Sequence, residues 1–470
     1  MRSWPRHAPA FAIRDARIDG VRARHLLIHA GRIIDFPETI DPGVPTIDAR
    51  GGRVMPGLVD HHLHLMAAAV REHSVDLSSI VCGGELNRAL RQASARGAVR
   101  AIGYDDGVDG ALDRWALDAL SSTIPIRVQY RTGTLWVLNS AALDHALQGL
   151  AEVPETFERG ARGELNGRVW HSDQLLRARP TNPVPSLASL GCDLARWGIT
   201  AVTDASASTD QAQADALALA AGDMPQEITL MSRTQIKASC DGVRVGPVKI
   251  MLHEDRLPLF EELTRLIKSA RVQGRSIAAH CVTPAELALF AAALDACGGR
   301  AGDRIEHGSL IPPDYFSILR DLGVTVVTQP AFVYSRGDRY LRDVPTQQCS
   351  DLYRAASLMD HGIPLAAGSD APYGPLNPWL AIRSAAERRT SMGASLGAQE
   401  RLGAEQALAL YLGAVTDPGG PRRRVEIGAP ADLCLLKAPG HGDDDDPVAM
   451  TFKRGDIIYA CNGRSEGWTN

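Results

Sequence analysis

Short apolar runs alternate with helical segments from about residue 199 to residue 371. The strand-like runs read "ITAVTDAS", "GPVKIMLH", "SIAAHCV", "RIEHGSL", "VTVVTQP" and "IPLAAGSDA". The segment at 257–274 is amphipathic, and the segment at 283–299 begins with a Thr cap and ends in glycines. Near-continuous apolar strands separated by helices are typical of a parallel sheet covered by helices. The alternation therefore predicts an α/β fold, a (β/α)8 TIM-like barrel.

Four further strand-like runs lie at 54–64, 99–106, 124–131 and 227–233. With the six above they exceed the eight strands of a barrel, so two must lie in an insertion or beside the barrel. We expect the insertion within residues 70–185, where the strand and helix pattern is weakest.

Both ends of the chain have a different sequence pattern from the segment with alternating strands and helices. Residues 10–52 contain short β-like runs separated by Gly, Pro and Asp turns, and the same pattern returns at 425–439 and 447–463. We expect one small β domain from residues 1–55 and 405–470, with the barrel at 56–404.

The composition of the 470-residue chain limits its partners. A net charge of −5 and a pI near 6.3 argue against a nucleic-acid or anionic-membrane surface and favour a small-molecule substrate. The sequence has no apolar signal region or membrane-length run, and its eight cysteines form no CxxC pair. We expect a cytoplasmic protein with reduced cysteines, and a homo-oligomer remains open.

Six side chains able to bind metal follow the predicted strands. In "VMPGLVDHHLH", His62 and His64 lie on one strand face, about 7 Å apart, whereas His61 points the other way. Four later strands end at Lys249, His280, His307 and Asp370. The carboxyl ends of parallel barrel strands form the active-site face, so these groups predict a metal site there.

Each of these residues alone also fits a structural role. A single histidine at a strand end is commonly a hydrogen-bonded core residue, Asp370 can cap a helix or form a turn, and Lys249 can pair with a carboxylate. Their joint occurrence at successive strand ends favours the metal site.

The motif "MPGLVDHHLH" with the later Lys, His, His and Asp resembles the amidohydrolase superfamily. The phrases "RIEHGSLI", "GSDAPYGPLNPWLAI" and "LWVLNSAAL" resemble the branch of N-substituted formamide deformylase-like enzymes. The resemblance implies that the β domain is a β-sandwich. It also implies that His62, His64 and Asp370 hold the more buried ion, and that His280 and His307 hold the second.

By the same resemblance, Lys249 matches a lysine that reacts with carbon dioxide to form a carbamate bridging two ions. Imidazole and carboxylate ligands suit Zn²⁺ best, and without the carbamate one ion is expected rather than two. The pattern departs from the branch at Gly133 and Thr134, where a Gly-His pair is usual, and at "LHEDRLPL", where an Asp-Gly-Ser phrase is usual.

The implied activity is hydrolysis of a C–N bond in an N-substituted amide, formamide or urea-like compound. A divalent ion lowers the pKa of a bound water from 15.7 to about 7, giving a hydroxide nucleophile. Asp370 would carry its proton to the departing amine, and His280 or His307 would stabilise the oxyanion. The alternatives are a deaminase or cyclic-amide hydrolase on the same scaffold, and a catalytically silent metal- or ligand-binding protein.

Two charged segments have less specific interpretations. We expect "YSRGDRYLRD" at 334–343 to be a solvated surface loop; the alternative is a lid with Arg336 or Arg339 facing an acidic substrate. We expect "GHGDDDDP" at 440–447, with His441, to be a solvated turn.

Overall fold

The computed structural model describes residues 10–72, 74–172, 175–176, 186–207, 209–237, 242–438 and 446–461. The predicted acidic turn at 440–447 and the outermost parts of both chain ends lie mostly outside these ranges. The chain divides into two compact units, one made of Met1–Leu65 with Leu187–Asn470 and the other of Met66–Ser186.

The first unit contains the predicted barrel. Within the described residues its eight hydrogen-bonded strands are all parallel. In chain order they are Leu58–Leu63, Ile199–Asp204, Glu227–Ser232, Val243–Ile250, Ile277–Cys281, Arg304–His307, Thr325–Thr328 and Leu365–Ala367. They are called barrel strands one to eight below. The fold-class prediction is confirmed.

The barrel closes where its last strand meets its first. The backbone N–H of Asp370, just beyond strand eight, donates to the carbonyl oxygen of His62, 2.7 Å away. Gly368 makes this approach possible, because a Cβ at that position would lie only 2.5 Å from the backbone nitrogen of His62. Glycine at 368 therefore brings the ends of strands one and eight together.

Helices cover the outer face of the barrel. The two that the sequence predicts most clearly are Phe260–Val272 and Pro284–Cys297, and the second begins with a capping box formed by Thr283 and Glu286. Their apolar faces pack with the strands in one buried cluster. The other α-helices described in this unit are Ala188–Arg196, Gln211–Ala220, Phe316–Leu322, Ala331–Asp343, Thr346–Cys349, Ala355–Asp360, Pro378–Glu387 and Ala404–Ala409.

Both ends of the chain build a β-sandwich in the same unit. One sheet contains strands Phe11–Arg14, Leu26–His29, Arg32–Asp35 and Thr46–Asp48. The other contains Arg17–Ile18, Arg53–Pro56, Leu433–Leu436, Val448–Lys453 and Asp456–Ala460. A buried cluster joins side chains of both ends, among them Ile13, Leu26, Leu433 and Phe452.

The second unit is built on a six-stranded mixed sheet. Its strands are Val75–Asp76, Val99–Tyr104, Ile126–Tyr130, Leu135–Leu138, Phe157–Arg159 and Leu165–Trp170. Its helices include Gly83–Ser94, Arg114–Asp118 and Ser140–Leu147; helix Leu65–Glu72 begins at the junction with the first unit. The surplus strands predicted at 99–106 and 124–131 thus belong to this separate sheet.

The prediction of a surface loop at 334–343 is wrong, because these residues form most of helix Ala331–Asp343. Its charges form local contacts: Arg336 donates to the carbonyl of Tyr373 at 2.8 Å, and Arg339 pairs with Asp343 one helical turn away. The dense charge pattern hid the short apolar face of this helix, which includes Phe332 and Val333.

Candidate metal centre

Three of the predicted ligands come together at the carboxyl ends of barrel strands one and eight. One ligand atom each from His62, His64 and Asp370 lies within 4.8 Å of the other two. Nε2 of His64 is 3.1 Å from Oδ1 of Asp370, and Nε2 of His62 is 3.5 Å from the same oxygen. Two imidazoles and one carboxylate at this spacing can share one divalent cation.

Asp60 fixes the backbone on which these ligands stand. Its carboxylate accepts the N–H of His62 at 3.1 Å and the N–H of Ser369 at 3.0 Å, so it joins strand one to the segment after strand eight. Burial raises the pKa of Asp60 to about 6, although these hydrogen bonds oppose the shift. Asp60 positions the ligands and points along the same strand face as His62.

A buried carboxylate orients the first ligand ring. Glu306 accepts a hydrogen bond from Nδ1 of His62 and forms an ion pair with Arg304, whose Nη2 also donates to the carbonyl of His61. The side chains of Glu306 and Arg304 are 0% and 2% exposed. Because Nδ1 of His62 carries the donated proton, its Nε2 keeps a lone pair on the side of Asp370.

The charge of Glu306 is stabilised despite its burial. Desolvation opposes ionisation, but the positive charges of Arg304 and Lys249 and the hydrogen bond to His62 outweigh it and hold the pKa of Glu306 well below its usual value. The ionised carboxylate of Glu306 is thus paired with Arg304 and faces the ring of His62.

His280 and His307 bring strands five and six to the same centre. The ring of His307 lies 4.8 Å from that of His62 and 4.6 Å from that of His280, measured between centroids. Nδ1 of His307 is held by the side-chain oxygen of Gln329 at 2.8 Å. The structure thus places all four predicted histidines in one continuous group.

Lys249 of strand four is buried under this group, with 1% of its surface exposed. Burial lowers the pKa of its ammonium group, against the opposing effect of the Glu306 charge. A lysine in this environment is chemically unusual, because the neutral amine is favoured over the charged form more than in water.

The protonation states suit cation binding. Burial lowers the pKa of His62 to about 3 and lowers the pKa values of His280 and His307 below their ordinary range. Burial opposes ionisation of Asp370, but the hydrogen bond with His64 and the electrostatic effects of His62, His307 and His64 together outweigh this and hold the pKa of the carboxyl below its usual value. Neutral imidazoles beside an ionised carboxylate are the forms that bind a divalent metal, so these residues fit such an ion.

Two of the candidate ligands occupy a backbone conformation that side chains rarely adopt. The φ angle is 71° at His307 and 54° at Asp370. Non-glycine residues in this left-handed region cost about 1–3 kcal/mol each and cluster at functional sites. His307 is the last residue of strand six and Asp370 lies three residues beyond strand eight, so both stand where the chain leaves the barrel at its carboxyl end.

Sequence reasoning missed several supporting residues, namely Asp60, Glu306, Gln329 and His253. A usable signal existed for the first two: each is an acid inside a predicted barrel strand and lies two residues from an inward-facing ligand or cation. Of the two departures from the branch pattern, Gly133 lies in a turn with φ 77° before strand Leu135–Leu138. The other, "LHEDRLPL", places His253 beside His280, with 5.8 Å between ring centroids.

A parallel barrel with histidine, lysine and aspartate at its carboxyl end defines a metal-dependent hydrolase class of protein. The sequence profile of the amidohydrolase family matches residues 45–459. The chain belongs to the amidohydrolase family, and it is a metal-dependent amidohydrolase acting on small molecules.

The relatives agree with this assignment. The chain is 25% identical to the N-substituted formamide deformylase of Arthrobacter pascens, over 91% of each sequence. It is 24% identical to the putative amidohydrolase YtcJ of Bacillus subtilis, over 89% of this chain and 91% of that one. An uncharacterized metal-dependent hydrolase from Pyrococcus horikoshii has the same fold, with a TM-score of 0.74, 20% identity and coverage of 95% and 99%.

Among the described residues, no helix combines the length and the apolar character needed to cross a bilayer.

Proposed function

We propose that this enzyme hydrolyses the C–N bond of an N-substituted amide, formamide or urea-like small molecule. The proposal rests on one observation: one ligand atom each from His62, His64 and Asp370 lies within 4.8 Å of the other two. The rings of His280 and His307 stand beside this group. The similarity to an N-substituted formamide deformylase supports the same bond type.

Asp370 is the proposed proton carrier. Its carboxylate is ionised and lies on the active-site face, so it can accept a proton from the attacking water and pass it to the departing nitrogen. A bound divalent ion, which we propose to be Zn²⁺, would supply polarisation of the scissile carbonyl and acidification of that water. His280 and His307 are proposed to hold a second ion, and one of them to stabilise the oxyanion that forms from the carbonyl.

Lys249 is proposed to carry a carbamate and thereby to help hold a second ion. Its neutral amine would add to carbon dioxide, forming one N–C bond and releasing one proton. Burial lowers the pKa of Lys249 and so favours the reactive neutral amine. The product is an anion, which would replace a cation at the edge of a metal site.

Metal content per chain and intact mass under native conditions test the centre. We expect two ions and the added mass of one carbon dioxide, and we expect Lys249→Met to lose both the adduct and one ion. One ion without the adduct would instead support a mononuclear hydrolase or a deaminase. No bound metal after reconstitution with Zn²⁺ would refute the proposed centre.

Hydrolysis is tested on N-substituted formamides, acetamides and ureas, with detection of the released amine. Asp370→Asn is expected to lower turnover by about 10²–10⁴-fold because the proton carrier is removed. Asp343→Asn is the control, since Asp343 pairs with Arg339 and Arg342 in an exposed position. Wild-type turnover by Asp370→Asn with metal bound would remove Asp370 from its role, and ammonia release from exocyclic amines would favour the deaminase alternative.

A further inference from the structure

A fifth histidine extends the row of ligand rings toward the solvent. His253 lies in the loop after barrel strand four, which carries Lys249, and so stands on the active-site face. Successive centroid separations of 5.5, 4.8, 4.6 and 5.8 Å connect the rings of His64, His62, His307, His280 and His253 in that order. His253 is partly exposed, whereas the His62 and His307 rings are buried.

The position of His253 is enforced by a buried acid. The carboxylate of Glu286, a residue 2% exposed, accepts the N–H groups of Val282 at 2.7 Å and Thr283 at 3.1 Å. It also accepts a backbone hydrogen bond from Glu254, the neighbour of His253. The loop after strand four is therefore tied to the loop after strand five. Strand five itself carries His280.

A further hydrogen bond closes the turn that follows His253. The N–H of Arg256 donates to the carbonyl of His253 at 2.9 Å, at the start of the short helical turn Glu254–Arg256. These contacts hold the backbone on the carboxyl side of His253, and the ring of His253 lies beside that of His280.

The chemistry of the ring suits recognition of an amide. An imidazole ring has one nitrogen that can donate an N–H and one that can accept, so it can hydrogen-bond either the carbonyl oxygen or the N–H of an amide group.

We propose that His253 is a substrate-contacting residue that hydrogen-bonds a polar group next to the scissile bond, so that the enzyme prefers amides carrying a second amide-like group. This inference rests on the proposed function, because it names the class of substituent that the same site accepts. Glu286 acts as a positioning residue through the loop that carries His253.

A matched pair of formamides tests the proposal on the zinc-loaded enzyme. N-Formyl-β-alaninamide has a second amide where N-(3-methylbutyl)formamide has two methyl groups of similar shape. The kcat/KM ratio of the two compounds and their dissociation constants by calorimetry are measured for the wild type, His253→Phe and His253→Gln. His361→Phe is the control, because His361 is exposed and precedes barrel strand eight at its amino end.

The wild type is expected to favour the polar compound, and His253→Phe to lose this preference by about 3- to 10-fold, the effect of one neutral hydrogen bond. The loss should be largest in KM, with zinc content unchanged, and Gln should restore part of it because its amide can donate and accept. Glu286→Gln should reduce the preference partially, and His361→Phe should leave it unchanged.

The outcomes separate this proposal from the proposed function. Hydrolysis of both formamides with the same ratio in wild type and His253→Phe would overturn the role of His253 while leaving amide hydrolysis intact. An equal loss on both compounds would assign His253 a structural role and also overturn the inference. Absence of binding and of turnover of either compound by the wild type would defeat the substrate class and this inference together.

Discussion

The carboxylate of Glu306 allows one substitution to report on both the fold and the metal centre. Glu306→Gln keeps the size of the side chain and an oxygen that can still accept the Nδ1 proton of His62. It removes the negative charge that faces Arg304 and Lys249. The substitution therefore changes electrostatics at nearly constant shape.

The expected magnitudes follow from the burial of the pair. Arg304 is 2% exposed, so after the substitution its guanidinium is a buried charge whose remaining described acceptors are neutral, among them the carbonyl of His61. Removing one partner of such a pair costs about 3–5 kcal/mol of unfolding free energy. Loss of the anionic acceptor behind a metal-binding histidine lowers metal affinity by about 10- to 100-fold.

Urea unfolding of the metal-free protein and zinc competition with a chromophoric chelator measure the two effects separately. Glu405→Gln is the control, because Glu405 pairs with Arg53 while 66% exposed, and an exposed pair contributes only about 0–1 kcal/mol. In the double variant Arg304→Met with Glu306→Gln, the unpaired charge is gone, so stability should recover while zinc affinity stays low.

Two results would refute this reasoning. Wild-type zinc affinity in Glu306→Gln would mean that the charge behind His62 does not tune the ligand. A double variant no more stable than Glu306→Gln alone would mean that the isolated Arg304 charge is not the source of the destabilisation.

Three further predictions concern stability and closure. The pKa of Glu306 is held below its ordinary 4.5, so the stability that its charge adds is present above pH 4.5 and is lost as the pH falls through the lower pKa of the folded state. The urea unfolding curves of wild type and Glu306→Gln should therefore converge in acid. Gly368→Ala should displace the backbone of His62 and lower zinc affinity at least tenfold, whereas Gly84→Ala, which has open space around it, should bind zinc normally. Thr283→Ala should lower unfolding free energy by about 1 kcal/mol through loss of the helix cap, and an unchanged urea midpoint would contradict that.

The sequence was sufficient for the fold class because its signals are periodic. Both faces of the barrel strands are buried, so the strands appear in the sequence as apolar runs. Helices Phe260–Val272 and Pro284–Cys297 have clear capping residues and apolar faces. The helix Ala331–Asp343 was missed because its charged residues pair within the helix and with nearby backbone, so composition resembled that of a solvated loop.

The positions of the candidate ligands were predictable because each stands at or just beyond the carboxyl end of a parallel strand, and these ends meet on one face of the barrel. The side chains that hydrogen-bond the candidate ligands could not be predicted from the sequence. Glu306 and Gln329 act across strands, on His62 and His307 respectively, and such contacts depend on the stagger of neighbouring strands rather than on local spacing. His253 was overlooked although the predicted strand-like run "GPVKIMLH" ends at this residue; in the structure the strand ends at Ile250 and His253 lies in the loop that follows.

The β-sandwich has a consequence for the order of events during synthesis. Strand Arg53–Pro56 is separated from the first barrel strand by Gly57 alone, yet it pairs with Leu433–Leu436, which the ribosome adds almost four hundred residues later. The nascent amino-terminal sheet must therefore wait, with its apolar face uncovered, while the barrel is made. Such long-range pairing is slow and exposes chains to aggregation. Cellular yield of this enzyme should depend more on chaperone supply than the stability of its finished barrel would suggest.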